Sequence, residues 1–323
     1  VLIVIPRPDG ASCGLADHAR VIAAEASRRG IPAHVCPWPQ PWLPSPNTPV
    51  LLEFTPLAYS RVALPWRLLL RVLLRRLRGG RVVTYFHELP FTNGNTWKRQ
   101  VAVLLQQFFC ILFAGLSHQA VVNQQDGVRW LSWLRPQSPP LFLPSFSNVG
   151  ESDHVSEPSD RPLQVVIFGS AGKRRHAHQL VAELGGYRQL FGPTVTVLDI
   201  GEPLALPSSL HEEVDILGLL PAEQVFAHLV QSRYGLFYSE PYQFSKSGVF
   251  AAYCASGVVP IISLRTHQHC DHFLSLSQIT DSPDFLLRSD AVWVNCRSWY
   301  CQYSTKSCAS EVIKAFNLSA VLA

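Results

Sequence analysis

Short apolar runs alternate with longer stretches of helical period along the first half of this 323-residue chain. Residues 2–5, 33–36, 50–54, 82–86, 120–123 and 141–143 are brief, apolar and rich in β-branched or aromatic side chains, and read as strands. Residues 15–29, 65–77, 96–116 and 125–134 repeat their apolar positions every three or four places and read as helices. Regular alternation of this kind predicts a parallel sheet covered by helices on both faces. Residues 150–162 break the pattern with Glu, Ser, Asp and Pro, the composition of a linker. The alternation then resumes, with strands at 165–168, 195–199, 214–217, 234–239 and 258–264, and helices at 177–190 and 222–230. Two doubly wound α/β domains are therefore expected, residues 1–149 and 163–323, facing a cleft at their carboxyl strand ends. The last helix, near 310–322, is expected to pack back on the first half.

Composition narrows the class. The chain is 47% hydrophobic and only 15% charged, which suits two folded cores rather than disorder. A net charge of +4 is too small to argue for nucleic acid, and no nucleic-acid partner is expected. Eight cysteines are scattered with no secretory pattern before them, so free thiols and a cytoplasmic location are expected. Methionine is absent, which points to a trimmed or altered start, with little structure missing before the first strand. The longest apolar stretch, 101–116, contains Gln106 and Gln107 and is shorter than a bilayer span, so a buried helix is expected there. Between 61 and 78, Arg61, Arg67, Arg71, Arg75, Arg76 and Arg78 interleave with leucines. The expected arrangement puts the leucines on the sheet and the arginines in water. The alternative is peripheral contact with the inner membrane face through 61–78. Trp38 and Trp42 stand among the prolines of 37–49, which predict a stiff extended loop.

Candidate chemistry gathers after strands. A glycine-bearing turn, 8–14, leads from the first strand into a helix whose N–H groups could approach a ligand. His87 and Glu88 follow the strand at 82–86, where polar side chains meet the crevice of an α/β sheet. Gly169-Ser170-Ala171-Gly172-Lys173-Arg174-Arg175 follows the first strand of the second half and has the makings of an anion cradle. Glu240 ends a later strand, and Ser245-Lys246-Ser247-Gly248 opens the next helix, a second place for a phosphate ester. The polar run 267–272 offers His267, His269, Cys270, Asp271 and His272, but its spacing fits no zinc pattern, and no metal is expected.

Taken in order, these segments resemble the B-type glycosyltransferases, nearest to the large retaining nucleotide-sugar family 4. Gly14-Leu15-Ala16-Asp17-His18 with Gly30 resembles that family's glycine loop and first helix, and His87 stands where its members often carry a histidine. Leu143-Pro144-Ser145-Phe146-Ser147-Asn148 resembles the segment before its hinge. Phe168-Gly169-Ser170 resembles the strand and glycine before its diphosphate-binding Arg and Lys, and Ala255-Ser256-Gly257-Val258-Val259-Pro260 resembles a helix end of the donor domain. The resemblance implies glycosyl transfer from a nucleotide-diphosphate sugar to a small-molecule, lipid or glycan acceptor, with retention and with neither metal nor further cofactor. It assigns donor binding to Gly169, Ser170, Lys173, Arg174, Glu240, Lys246, Ser247 and Gly248. The acceptor side falls to Gly14, Asp17, His87 and Glu88, and catalysis to His87 and Glu240. The family's second glutamate would fall near Ala252, where this chain has no acid. Two alternatives stay open: a sugar-nucleotide-binding protein without turnover, and a nucleotide-sugar epimerase or hydrolase on the same scaffold.

Overall fold

The computed structural model describes residues 1–6, 14–40, 45, 47–60, 64–90, 96–239, 241–263, 277–278, 286–287 and 289–316. Two compact units are present: residues 1–144 with 305–323, and residues 145–304.

Unit 1 runs β1 (Leu2–Ile5), α1 (Gly14–Arg28), β2 (His34–Pro37), β3 (Val50–Phe54), α2 (Pro56–Tyr59) and α3 (Trp66–Leu77). It continues through β4 (Val82–Phe86), α4 (Trp97–Leu116), β5 (Gln119–Val122), α5 (Gln125–Leu134) and β6 (Leu141–Phe142). Its strands form one parallel six-stranded sheet in the order β2-β1-β3-β4-β5-β6. β3 and β4 are buried throughout, and Phe54 packs on Phe86 and Phe113 at centroid distances of 5.6 and 4.4 Å. Right-handed crossovers put α1 on one face and α3, α4 and α5 on the other, because β2 lies on the opposite side of β1 from β3 to β6.

Unit 2 runs β7 (Gln164–Phe168), α6 (Ala171–Glu183), α7 (Tyr187–Phe191), β8 (Thr196–Ile200), β9 (Val214–Gly218) and α8 (Ala222–Gln231). β10 (Tyr234–Phe237), α9 (Gly248–Ser256), β11 (Val259–Ile262), β12 (Ser277–Gln278) and α10 (Ser289–Gln302) complete it. Its sheet is parallel, in the order β12-β11-β10-β7-β8-β9. α11 (Thr305–Ala315) belongs to unit 1, where Ile313 packs with Ala26 and Ile31, and Arg29 donates to the Lys306 carbonyl at 2.9 Å.

Three features differ from the sequence-based picture. The units divide at 144/145 rather than within 150–162. The polar segment 150–162 is tied down by Arg161, whose buried guanidinium donates to the carbonyls of Ser156, Ser232 and Ser256 at 2.9–3.0 Å. Burial, with Arg297 close by, lowers its pKa to about 10. α6 begins at Ala171, directly after the turn at Gly169, and stops where Gly185 and Gly186 take positive φ angles of 97° and 99°. Lys173 and Arg174 therefore sit in a first helical turn and not in a loop.

Candidate functional site

In each sheet, strand order reverses at one place, and the carboxyl ends of the two strands there diverge to leave room for a ligand. In unit 2 the reversal lies between β7 and β10. β7 delivers Gly169 and α6; β10 delivers the turn Pro241–Lys246 and α9. Tyr253 of α9 clamps the junction, its hydroxyl donating to the carbonyls of Val166 at 3.0 Å and Leu236 at 3.1 Å. Its ring lies where a Cβ on Gly235 would come within 2.7 Å, which accounts for a glycine in the middle of β10. Gly169, at φ +118°, brings its backbone against Val249 in the first turn of α9, where an added Cβ would stand 3.0 Å away.

The two helix starts thereby share one hollow, whose lining includes Gly169, Ser170, Lys173, Arg174, Tyr238, Ser247 and Val249. Ser247 caps α9, its side chain accepting from the Phe250 N–H at 3.2 Å, and the helix opens at Gly248. First-turn N–H groups have no partner within a helix and carry the positive end of its dipole. Partial burial lowers the Lys173 pKa, and the charge of Lys246, which stands just before the Ser247 cap, lowers it further. Among the described residues, Lys173 has no ion-pair partner.

Arg174 lines the same hollow but differs from Lys173 in its surroundings. It is buried at 1% exposure and bonds Asp199, the Glu202 carbonyl and, at 3.0 Å, the Gly169 carbonyl. Asp199 also accepts from His178 at 2.8 Å, and His178 meets the Tyr187 hydroxyl at 2.9 Å. A guanidinium held on three sides in this way shapes the Gly169 turn, and its nitrogens are already engaged by protein acceptors. Glu240, assigned to donor binding and catalysis, lies outside the described residues, as do Arg61, the turn at 8–13 and the run 267–272.

In unit 1 the strand order reverses between β1 and β3, and a second polar cluster stands nearby. Glu53, fully buried in β3, accepts from His18 Nδ1 at 3.1 Å and from His87 Nε2. His87 stacks on Tyr85 at 4.5 Å, and His18 meets both rings edge-on at 4.7 and 4.8 Å. Tyr85 is fixed in turn, its hydroxyl donating to the Leu143 carbonyl at 2.6 Å. Burial alone would raise the Glu53 pKa, but the charges and hydrogen bonds of the two imidazoles outweigh it and hold the carboxyl at about 2. Burial pushes the His87 pKa below its ordinary value, against the pull of Glu53. The ligand atoms of His18, Glu53 and His87 lie within 4.8 Å of one another, close enough for one small cation. The same atoms already satisfy each other through hydrogen bonds.

His87 therefore sits in a polar centre, as one of the assigned acceptor-side residues. Glu88 is exposed beside it and only weakly favours its protonated form. Asp17 instead pairs with Arg20 at 2.7 Å, and Gly14 opens α1 with nothing within 4 Å of an added Cβ. Sequence reasoning missed Glu53 and gave His18 no role. A signal was present for the first: Glu53 is the one polar residue in the strand Val50-Leu51-Leu52-Glu53-Phe54.

No known protein-family model matches the chain, and no curated protein sequence matches it. Solved structures do. An α-glucosyltransferase in complex with UDP and a 13-mer DNA containing an HMU base superposes with a TM-score of 0.62 over 98% of both chains, at 9% identity. The lipopolysaccharide outer core galactosyltransferase WaaB, in its apo form, gives 0.55 over 98% of this chain and 99% of its own, at 9% identity. Sucrose-phosphate synthase from Thermosynechococcus elongatus gives 0.53 over 99% and 96%, at 12% identity. The fold is that of the B-type glycosyltransferases, two Rossmann-like parallel-sheet units. Because one protein of this fold and extent was solved with DNA, the fold gives no ground for excluding a nucleic-acid partner.

Proposed function

We propose that the chain is a glycosyltransferase that takes a sugar from a nucleotide-diphosphate donor, with the diphosphate held by unit 2. The observation that carries this reading is one hollow at the strand-order reversal lined by Gly169, Ser170 and Lys173 from the start of α6 and by Ser247 and Val249 from the start of α9, with the charge of Lys246 near enough to act on Lys173. Lys173 has no ion-pair partner among the described residues, and the charge of Lys246 opposes its protonated form, which an anion beside it would favour. A pyrophosphate spanning Lys173 and the first turn of α9 would supply that anion.

Departure of a nucleoside diphosphate builds negative charge on its β-phosphate. Fixed cations and helix-end N–H groups stabilise that charge more than they stabilise the intact donor, which is how they would lower the barrier. In unit 1 the Glu53 carboxylate fixes the orientation of His87, and a neutral imidazole suits a sugar or acceptor hydroxyl, to which it can donate or from which it can accept. Retention, independence from metal and a cytoplasmic location complete the proposal on the strength of the family resemblance. Ala252 is buried inside α9, so no acid reaches the donor from that position, and this favours binding without turnover as the second reading.

Calorimetric titration with UDP, GDP and ADP tests the site, UDP first because a protein of this fold was solved with it. The double variant Lys173→Met/Lys246→Met should weaken the preferred nucleotide by about tenfold or more, since a hydrogen bond to a charged group contributes about 1.5–3 kcal/mol. Unchanged affinity would overturn the assignment. Incubation with nucleotide sugars and a panel of glycan, lipid and nucleic-acid acceptors then separates the readings. Transfer or slow donor hydrolysis supports the proposal; epimerisation with nucleotide release, or binding alone, replaces it.

A further inference from the structure

The helices on one face of unit 1 each carry two apolar stripes. On α3, Leu68 and Val72 face the core, while Trp66, Leu70, Leu73, Leu74 and Leu77 are exposed. On α4, Phe109, Cys110, Phe113 and Ala114 face the core, while Trp97, Val101, Leu104, Leu105, Phe108 and Ile111 are exposed. Both exposed sets follow the spacing i, i+4, i+7, i+8, i+11, so each is a single stripe along its helix. This revises two sequence-based expectations. α4 is not wholly buried, and on α3 several leucines face outward while Arg75 points in, donating to the carbonyls of Ser45 and Thr48.

α3 and α4 pack against each other on the same face of the sheet, so their outward stripes are neighbours. α5 lies beside them with Trp133 at 80% exposure. Among the described residues of unit 1, every exposed large hydrophobic is on or next to these helices, and none is on α1 or α11. Scattered exposed leucines are ordinary, but adjoining stripes of this extent mark a surface with a partner.

Charge identifies the partner. Residues 61–99 contain nine Lys and Arg and a single acid, Glu88, while the rest of the chain holds eighteen bases against twenty-two acids. Arg67, Arg78, Lys98 and Arg99 are exposed around the stripes. Tryptophans at helix ends beside cations are the composition of an interfacial helix. Two copies of this chain meeting through the same face would set like charges together, which disfavours self-association. We infer that unit 1 docks through α3 and α4 on an anionic lipid surface, the stripes entering the headgroup boundary and the cations meeting lipid phosphates. α4 is 20 residues long and apolar enough to cross a bilayer by length and composition. Its packing against β4, α3 and α5 makes it part of the helical layer, so it would lie on the membrane and not through it.

Co-sedimentation of the full chain with vesicles tests this independently of any nucleotide. Binding to phosphatidylcholine vesicles containing phosphatidylglycerol should exceed binding to phosphatidylcholine alone by about tenfold or more, and should fall in high salt. Arg67→Glu/Lys98→Glu should remove the anionic preference, and Leu104→Glu/Phe108→Glu should remove binding to both kinds of vesicle. Because these side chains are exposed, circular dichroism should be unchanged. Should either variant misfold, quenching of wild-type tryptophan fluorescence by brominated lipid gives the same reading. Absence of binding, equal binding to neutral vesicles, or a dimer that Leu104→Glu/Phe108→Glu dissociates would overturn the inference.

Discussion

The polar cluster of unit 1 and that of unit 2 occupy comparable places, beside the strand-order reversals of their sheets, yet their electrostatics are opposite. In unit 1 a buried carboxylate is enclosed by two imidazoles, and its low pKa of about 2 shows a charge satisfied from within. In unit 2 burial, and after it the charge of Lys246, lowers the Lys173 pKa, and Lys173 has no ion-pair partner among the described residues. The closed arrangement orients a side chain; the open one leaves Lys173 able to take an anion from outside. Within unit 2 the contrast recurs between adjacent residues that both line the hollow, since Arg174 is buried and paired with Asp199 while Lys173 is exposed and has no ion-pair partner among the described residues. A closed group should register in stability and an open one in ligand affinity.

The sharpest test of that division is to change the neighbours separately. Arg174→Met leaves Asp199 buried beside His178 with its other partner gone, and should lower the stability of the protein by about 3–5 kcal/mol. Lys173→Met removes a repulsive charge at a largely exposed position. It should leave stability within about 0.5 kcal/mol of the parent while weakening nucleotide binding. Denaturant unfolding and calorimetry on the same two variants would show the effects exchanged if the hollow is wrongly placed.

Glu53→Gln should have the next largest effect. Against an ordinary carboxyl pKa near 4.5, a folded value of about 2 corresponds to about 3 kcal/mol of stability at neutral pH. A depressed carboxyl pKa contributes stability that is present above 4.5 and lost as pH falls through about 2. His87, also lowered in the fold, acts in the same direction from about pH 6.5 downward, because the unfolded chain takes up the proton more readily. Acid unfolding of the parent should therefore steepen below pH 4.5. The Gln variant should start less stable and lose that steep segment; retention of it would mean that Glu53 is not the group responsible.

Much of this was legible from residues alone, for identifiable reasons. Central strands such as Val50–Phe54 and Val82–Phe86 stand out because burial on both faces demands a continuous apolar run. That Lys173 and Lys246 both follow strands of the second alternating series could be read from spacing alone. Arg174 could not be separated from Lys173, since its partner Asp199 lies 25 positions away on the neighbouring strand. The start of α6 was hidden by Gly172 and three consecutive cations, which weaken the helical period. On α4 the apolar residues run right round the helix, so periodicity gives no means of telling the inward stripe from the outward one.

The smallest effect concerns the pH dependence of nucleotide binding, and it bears on the open half of the comparison alone. A diphosphate favours the protonated form of Lys173, whose pKa in the free protein lies below 10.5 through burial and the charge of Lys246. Affinity should be fullest where that ammonium is intact and should decline as pH rises toward its lowered pKa, earlier than an ordinary lysine would allow. The decline should be less than the loss in Lys173→Met, since only part of the population is deprotonated. In Lys246→Met the decline should move to higher pH, because the repulsion that lowers the Lys173 pKa is gone. Calorimetric titrations with UDP from neutral to alkaline pH would separate the causes: a decline in the same place with and without Lys246 would mean that the Lys246 charge does not act on Lys173.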